Sequence, residues 1–289
     1  MASLKEIKNR IGSVEGTLKI TSAMKMVASA KLHKAQMAIE GMLPYDRQLH
    51  RIMTRMLSAD TQVTSPLCTQ RQDKKRVAVV CVAANSSLCG GYNSNALRHT
   101  LATIDAYKKQ FRAEDIDCYV IGRKLDQSLQ KQQGFNLMRE FVDRGDNPKF
   151  ATAQAIADRL MKDYTEGHID EVKLVYMHFK NTASQVPTVE TYLPVPLETA
   201  AEEGAAAGYV IEPSPEQVIN VLIPDALRMK IFTMMLDAQA AEHAARTVAM
   251  QTATDNANDL LDDLRIQYNK GRQSAITAEL LDIVGGSMN

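Results

Sequence analysis

Tryptophan is absent from this sequence, aromatic residues are only 5% of it, and glycine and proline number 14 and 9. A sheet-dominated fold draws on aromatic residues and on turn formers, so this composition favours helix. An excess of either charge sign is missing too, since 34 basic residues meet 34 acidic ones. A general nucleic-acid binder carries a basic excess, so that class is set aside. Cysteine is limited to Cys68, Cys81, Cys89 and Cys118. No two have CxxC spacing and no His/Cys cluster has zinc-ligand spacing, which argues against a zinc ribbon and points to free thiols in a reducing compartment. The longest uncharged stretch, Val77–Leu97, contains Asn, Ser and Gly in its second half and cannot be a transmembrane helix. Met1–Arg10 is charged from Lys5 onward and lacks the apolar core of a signal peptide. Membrane association is therefore expected only through partners.

Long helical periodicity is what the sequence has in quantity. Leu4, Ile7, Ile11, Val14 and Leu18 alternate steps of three and four, and Ala28, Leu32, Ala35, Ile39 and Met42 keep that count. Tyr45, Leu49, Ile52 and Met56 resume it after one short step. This is a heptad-like stripe over most of 55 residues, ~85 Å of helix at ~1.5 Å per residue. Two irregularities stand out. Thr21 and Lys25 hold the strict heptad positions while Ile20, Met24 and Val27 form a second apolar stripe beside them. That pattern fits either local repacking or a helix packed on two sides. Pro44 follows Gly41, and a bend is expected there, with the helix resuming because the stripe resumes.

The middle of the chain differs in kind. Lys75–Ala83, Asp117–Gly122, Val172–Phe179 and Gln185–Leu193 read as strands, the last at an edge because of Pro187. Helices are expected over Ser94–Gln110, Lys124–Gln133 and Phe150–Tyr164. Strands alternating with helices predict a small Rossmann-like α/β domain with a largely parallel sheet. Glu198–Gly208 reads as a low-complexity linker.

From about Ser214 the helical count returns. Leu227, Ile231, Met234, Ala238, Ala241, Ala245 and Val248 keep three-four spacing, and Leu261, Leu264, Tyr268, Ile276, Leu280 and Ile283 extend it. Ala238, Ala240, Ala241, Ala244, Ala245 and Ala249 make its centre thin, which permits close approach of another helix and also raises helix propensity. Two long terminal helices with a folded segment between them must pair antiparallel if they pair. Residues 1–58 carry ten basic and four acidic residues, and residues 209–289 six basic and eleven acidic. Opposite charge gives such ends a reason to pair; two independently solvated surfaces are the alternative. The expected fold class is α+α/β: an antiparallel coiled coil of the terminal helices, 1–60 and 210–287, with an inserted α/β domain over 75–197.

Catalytic chemistry is hard to find. The strand-turn-helix at Val77–Leu97 holds Cys89-Gly90-Gly91 but lacks the Lys-Ser/Thr of a P-loop, so a tight turn explains the glycines better than a phosphate cradle. His33, His50, His99, His168, His178 and His243 form no i, i+4 pair, and no GxSxG elbow occurs. Asp255, Asp262 and Asp263 read as a solvated or partner-facing helix face. No catalytic, cofactor or metal site is expected.

Three separated segments carry a resemblance. Lys5–Gln36 (KEIKNRIGSVEGTLKITSAMKMVASAKLHKAQ), Leu88–Asn93 (LCGGYN) and Thr247–Val284, above all Ala253–Asn256 and Tyr268–Glu279, are similar to signatures of the gamma subunits of F-type ATP synthases. The resemblance covers essentially the whole chain in the right order. It implies a central stalk turning inside a ring of alpha and beta subunits, with the α/β domain at the foot beside the epsilon subunit and the membrane ring of c subunits. Nucleotide chemistry then belongs to the beta subunits, and the chain would sit peripherally at the cytoplasmic face of a bacterial inner membrane.

The resemblance also implies contact residues. Arg272, Gln273 and Thr277 match residues that engage a beta-subunit loop. Met24 and Lys25, with the neighbouring Ile20 stripe, lie where the N-terminal helix passes the beta levers. Cys89, Gly90 and Gly91 match a turn that approaches those levers. Two departures stand out: Asn85, Ser86 and Ser87 replace an acidic residue, a basic residue and Gly before Leu-Cys-Gly-Gly, and Lys25 often is Glu in that family. Two other classes remain in play, an α/β enzyme with helical dimerisation arms and a coiled-coil scaffold. The first predicts a polar cluster at strand ends, and the second gives the α/β domain no role.

Overall fold

The structure is a computed structural model, and it describes residues 3–58, 65–195, 212 and 214–286. The expected linker Glu198–Gly208 lies outside the described residues. In chain order the main elements are α1 (Leu4–Ser58), β1 (Val77–Val82), α2 (Tyr92–Lys108), β2 (Ile116–Ile121), α3 (Arg123–Leu129), β3 (Asn136–Met138), α4 (Phe150–Thr165), β4 (Glu171–Asn181), β5 (Ser184–Leu193) and α5 (Pro215–Gly286). Both terminal helices run on through an internal proline, Pro44 in α1 and Pro224 in α5. The fold class expected from the sequence is the one observed.

Two compact units form. One takes α1 up to Ser29 with α5 from Arg246 onward, and the other takes Ala30–Ala245.

The first unit is a two-helix seam. Arg265 pairs with Glu15 at 3.4 Å, Thr254 with Thr21 at 3.0 Å and Lys25 with Gln251 at 2.6 Å. A Cβ on Gly271 would lie 3.1 Å from Leu4. Numbers rise on one helix as they fall on the other, so the pair is antiparallel. Ile7, Thr21 and Ala28 are buried from α1, and Met250, Ala257, Leu261 and Leu264 from α5. Met250, Thr254, Ala257, Leu261 and Leu264 therefore carry the α5 stripe, whereas Val248, counted in it from spacing, is exposed. The spacing misled there because Thr254 and Ala257 hide the true 4-3-4-3 series. The Glu15–Arg265 pair joins an acid of the basic helix to a base of the acidic one. The regional charge split is thus not the contact this ion pair uses, and an exposed pair contributes little.

The second unit is built on one five-stranded sheet in the order β3-β2-β1-β4-β5. β1 pairs parallel with β2 and β4, β2 with β3, and β5 runs antiparallel along β4 at the edge, where Pro187 needs no ladder donor on its outer side. β1 and β2 are buried at every position, which is why they read as continuous apolar runs. Alternate residues serve two layers. Ala78, Val80, Tyr119, Ile121 and Leu174 pack on α4 and on α5 from Ile219 to Ala238. Val77, Val79, Cys81, Cys118 and Val120 pack on α2 and α3, and Ala241 and Ala245 join them. Ala240 and Ala244 meet Leu32 and Ala35 of α1. The alanines thus let α5 pass between α1 and the sheet, a tighter task than pairing with one helix.

Differences from the expected elements are local. β3 was not foreseen: three half-buried residues give no period to detect. α3 stops at Leu129 rather than Gln133. Asp170 accepts from Arg71 at 2.7 Å and from the amides of Lys75 and Arg76 at 2.7 and 3.0 Å, tying the segment before β1 to the start of β4. Glu171 next to it accepts from Tyr107 at 2.9 Å and pairs with Lys74.

Candidate functional site

Nine residues were singled out by the sequence, and they fall in three places. Ile20, Met24 and Lys25 lie on α1 in the two-helix unit, and Arg272, Gln273 and Thr277 lie on α5 in the same unit. Cys89, Gly90 and Gly91 belong to the α/β unit. Within the two-helix unit the α1 and α5 groups do not converge. Gln251, opposite Lys25, is 21 residues from Arg272, ~30 Å along the helix.

On α1 the two stripes divide. Thr21 turns inward, donates to the Leu18 carbonyl at 3.1 Å and accepts from Thr254. Lys25 also turns inward, its ammonium donating to Gln251 Oε1. Ile20 and Val27 stay exposed, at 61% and 56%, whereas Met24, the third member of that stripe, is half-buried; Met26 beside it is exposed. The heptad positions thus keep the seam, and of the added apolar stripe Ile20 and Val27 are left facing outward in this chain.

The turn after β1 is built from within. Asn93 Oδ1 accepts from the Ala84 amide at 3.1 Å, while Asn93 Nδ2 donates to the Ser86 carbonyl at 3.1 Å and lies 3.2 Å from Cys89 Sγ. Cys89 is buried at 1% exposure, so its thiol supports the turn. Gly90 adopts a positive φ of 56°, which explains a glycine there, whereas Gly91 has an ordinary φ of −80° at the start of α2. Leu88 holds a φ of 65° and is 59% exposed. It is the outward apolar side chain of the turn, and sequence reasoning missed it because no periodicity marks a left-handed leucine. Beside it runs a groove of about 700 Å³ lined by Leu88, Leu97, Leu101, Lys124 and Ser128.

Asn85, one of the departures noted above, has a definite task. Its Oδ1 accepts from the Arg123 amide at 2.9 Å and joins the turn to the start of α3. Gly122, just before α3, has φ 112°, and a Cβ there would come 2.1 Å from the Ala83 carbonyl oxygen.

On α5 every residue from Arg272 to Leu281 is exposed. Thr277 Oγ1 donates to the Gln273 carbonyl at 2.9 Å. Ile276, Leu280, Leu281 and Ile283 are exposed apolar side chains on that stretch.

Titratable groups elsewhere serve the fold. Burial and the neighbouring Glu171 push the Tyr107 hydroxyl well up, and burial with Asp163 does the same for Tyr119. Asp163, Glu166 and His168 come within 4.8 Å of one another, but Asp163 is committed to Arg159 at 2.7 Å and to Tyr119 at 3.3 Å. Among the described residues, no helix is long and apolar enough to cross a membrane.

An antiparallel pair of long terminal helices with exposed apolar side chains, and an α/β domain made by the chain between them, define an α+α/β protein of paired terminal helices and an inserted domain. The ATP synthase family model matches residues 3–288. The chain is 54% identical to the ATP synthase gamma chain of Phocaeicola vulgatus and 52% identical to that of Bacteroides fragilis, over 100% of each chain in both comparisons. It belongs to the ATP synthase gamma chain family. Among solved structures, it is similar to a chain of the Euglena gracilis mitochondrial ATP synthase, with a TM-score of 0.65 at 17% identity over 99% of this chain and 93% of that one. A chain of the Tetrahymena thermophila mitochondrial ATP synthase central stalk and c-ring gives a TM-score of 0.55 at 21% identity, over 81% of this chain and 99% of that one. At such identities the likeness concerns the fold.

Proposed function

We propose that this chain is the rotating central-stalk subunit of a bacterial F-type proton-translocating ATP synthase. It couples proton flow through the membrane sector to ATP synthesis, or hydrolysis, in the catalytic head. The observation that carries this reading is the 54% identity with a gamma chain over the full length of both chains, joined to an antiparallel helix pair that buries heptad positions and leaves Ile20 and Val27 of a second apolar stripe exposed. In this reading the chain has no catalytic centre, cofactor or metal of its own. Its partners are the alpha and beta subunits, the epsilon subunit and the c ring, and it meets the inner face of the cell membrane only through them.

Three parts have separate tasks: the helices 1–60 and 210–287 form the shaft, and 75–197 form the foot. Ile20, Met24 and Lys25, the turn at Cys89, Gly90 and Gly91, and Arg272, Gln273 and Thr277 make the contacts that pass torque. At the turn the buried Cys89 and the glycines shape a loop that presents Leu88.

The test is purification of the tagged full chain from its native membranes, followed by ATP-driven proton pumping in vesicles. Recovery with alpha, beta, epsilon and c subunits is expected, with pumping that is lowered by Ile20→Ser together with Met24→Ser. Recovery of the chain alone, with its own hydrolytic activity, would sink the proposal.

A further inference from the structure

The heptad seam of the two-helix unit is interrupted by a polar layer. Thr21 and Lys25 hold seam positions on α1, and Gln251 and Thr254 face them from α5. The layer is connected. Lys25 Nζ donates to Gln251 Oε1 at 2.6 Å, and Gln251 Nε2 donates to Asp255 Oδ1 at 2.7 Å. One turn away Thr254 Oγ1 lies 3.0 Å from Thr21 Oγ1 and 2.8 Å from the Met250 carbonyl, while Thr21 spends its proton on Leu18. Above and below, the buried positions are ordinary apolar ones such as Ile7, Ala28, Leu261 and Leu264.

Apolar seams of this kind set a face but not a register, because sliding one helix by seven residues returns apolar side chains to the seam. The polar layer does not survive that slide. Moved one way, Lys25 faces Ala244 and loses its acceptor; moved the other way, Lys25 exchanges Gln251 for the shorter Asn258 and Thr21 faces Leu261, so the Thr254–Thr21 hydrogen bond is lost while both hydroxyls keep their intrahelical carbonyls. An unsatisfied polar group in a seam costs more than a satisfied one contributes. A single polar pair at a seam position is a known way for paired helices to fix alignment at some cost in stability.

We infer that the Lys25–Gln251 hydrogen bond, with Thr21–Thr254 beside it, holds the axial register of α1 against α5 in the two-helix unit, adding to the packing of Leu32 and Ala35 on Ala240 and Ala244 further along the same helices. It acts by positioning the helix faces rather than by adding stability. The inference does not rest on the proposed function, because it concerns two helices of one chain.

Cross-linking of the purified full chain tests it. Glu15→Cys with Arg265→Cys reports the observed register. Glu15→Cys with Asn258→Cys or with Arg272→Cys reports a slip of one heptad either way. A short bis-maleimide and peptide mapping score each pair. With the native layer, only the 15–265 pair links. With Lys25→Leu and Gln251→Leu, slipped product rises from undetected to on the order of a tenth or more of the linked chains, at undiminished helicity and melting temperature. Lys25→Arg keeps the native pattern. Slipped product that stays undetected in the leucine variant overturns the inference, as does a fall in melting temperature with no slip. If the double variant does not fold, Lys25→Met alone carries the same expectation and the same refutation.

Discussion

Tyr92, the first residue of α2, donates a 2.9 Å hydrogen bond from its hydroxyl to the Ala238 carbonyl of α5, with its side chain buried at 3% exposure. The glycine turn is thereby tied to the long C-terminal helix within the α/β unit. Tyr92→Phe removes the donor and leaves the carbonyl its intrahelical partner, so the cost is about 1 kcal/mol. Denaturant unfolding of the full chain measures it. A cost above about 3 kcal/mol would mean that the ring packing, not the hydrogen bond, had been disturbed.

Two glycines separate space from habit. Gly122→Ala drives a Cβ to 2.1 Å from a backbone oxygen at φ 112°, and the chain is expected to be largely insoluble or unfolded. Gly91→Ala meets its nearest neighbour, Asn95, at 3.6 Å, an ordinary contact, and is expected to fold normally. Soluble yield and helical circular dichroism compare them; equal behaviour would refute the packing at the Ala83 carbonyl.

Asp237 joins α5 to β4, accepting from the Phe179 amide at 2.9 Å and lying 2.6 Å from His178 Nδ1. Asp237→Ala leaves the Phe179 amide without that acceptor and costs roughly 1–3 kcal/mol. His178→Asn, which spares the amide bond, costs less. A reversed order in thermal melts would assign the joint to the histidine instead.

Acid weakens the α/β unit through Asp170 and Glu171. Burial raises both carboxyls, but Arg71 with two backbone amides outweighs it at Asp170, and Lys74 with Tyr107 outweighs it at Glu171, so both end below their ordinary 3.8 and 4.5. A lowered folded value means stability fully present above the ordinary value and lost as pH falls through the folded one. Their contribution to stability is therefore constant above about pH 5 and declines below about pH 4.5, and Asp170→Asn flattens part of that decline. Urea midpoints at several pH values measure it, and an unchanged slope in the variant counts against the assignment.

The exposed end of α5 gives the sharpest separation of fold from function. Arg272→Ala with Gln273→Ala removes side chains that are exposed in this chain, so stability changes by less than about 0.5 kcal/mol. In the assembled complex the same pair lowers proton pumping. Normal pumping would remove these residues from the proposed contacts.

Chain-long periodicity determined the two terminal helices, and chain order determined that they pair antiparallel if at all. Continuous Val-rich runs determined the parallel strands, because strands buried on both faces carry no alternation. Pro187 marked the edge. These are local or periodic properties, readable wherever one residue type recurs at one spacing. Tertiary structure alone decided that Thr21 and Lys25 face Gln251 and Thr254, since a hydrogen bond across 226 residues leaves no local trace. It alone decided that Cys89 points inward while the left-handed Leu88 points out, and that β3 adds a strand too short to show a period. It also decided that the terminal charge split is not what the Glu15–Arg265 contact uses, because net charge acts over a whole face and an ion pair depends on which two side chains the register brings within 4 Å.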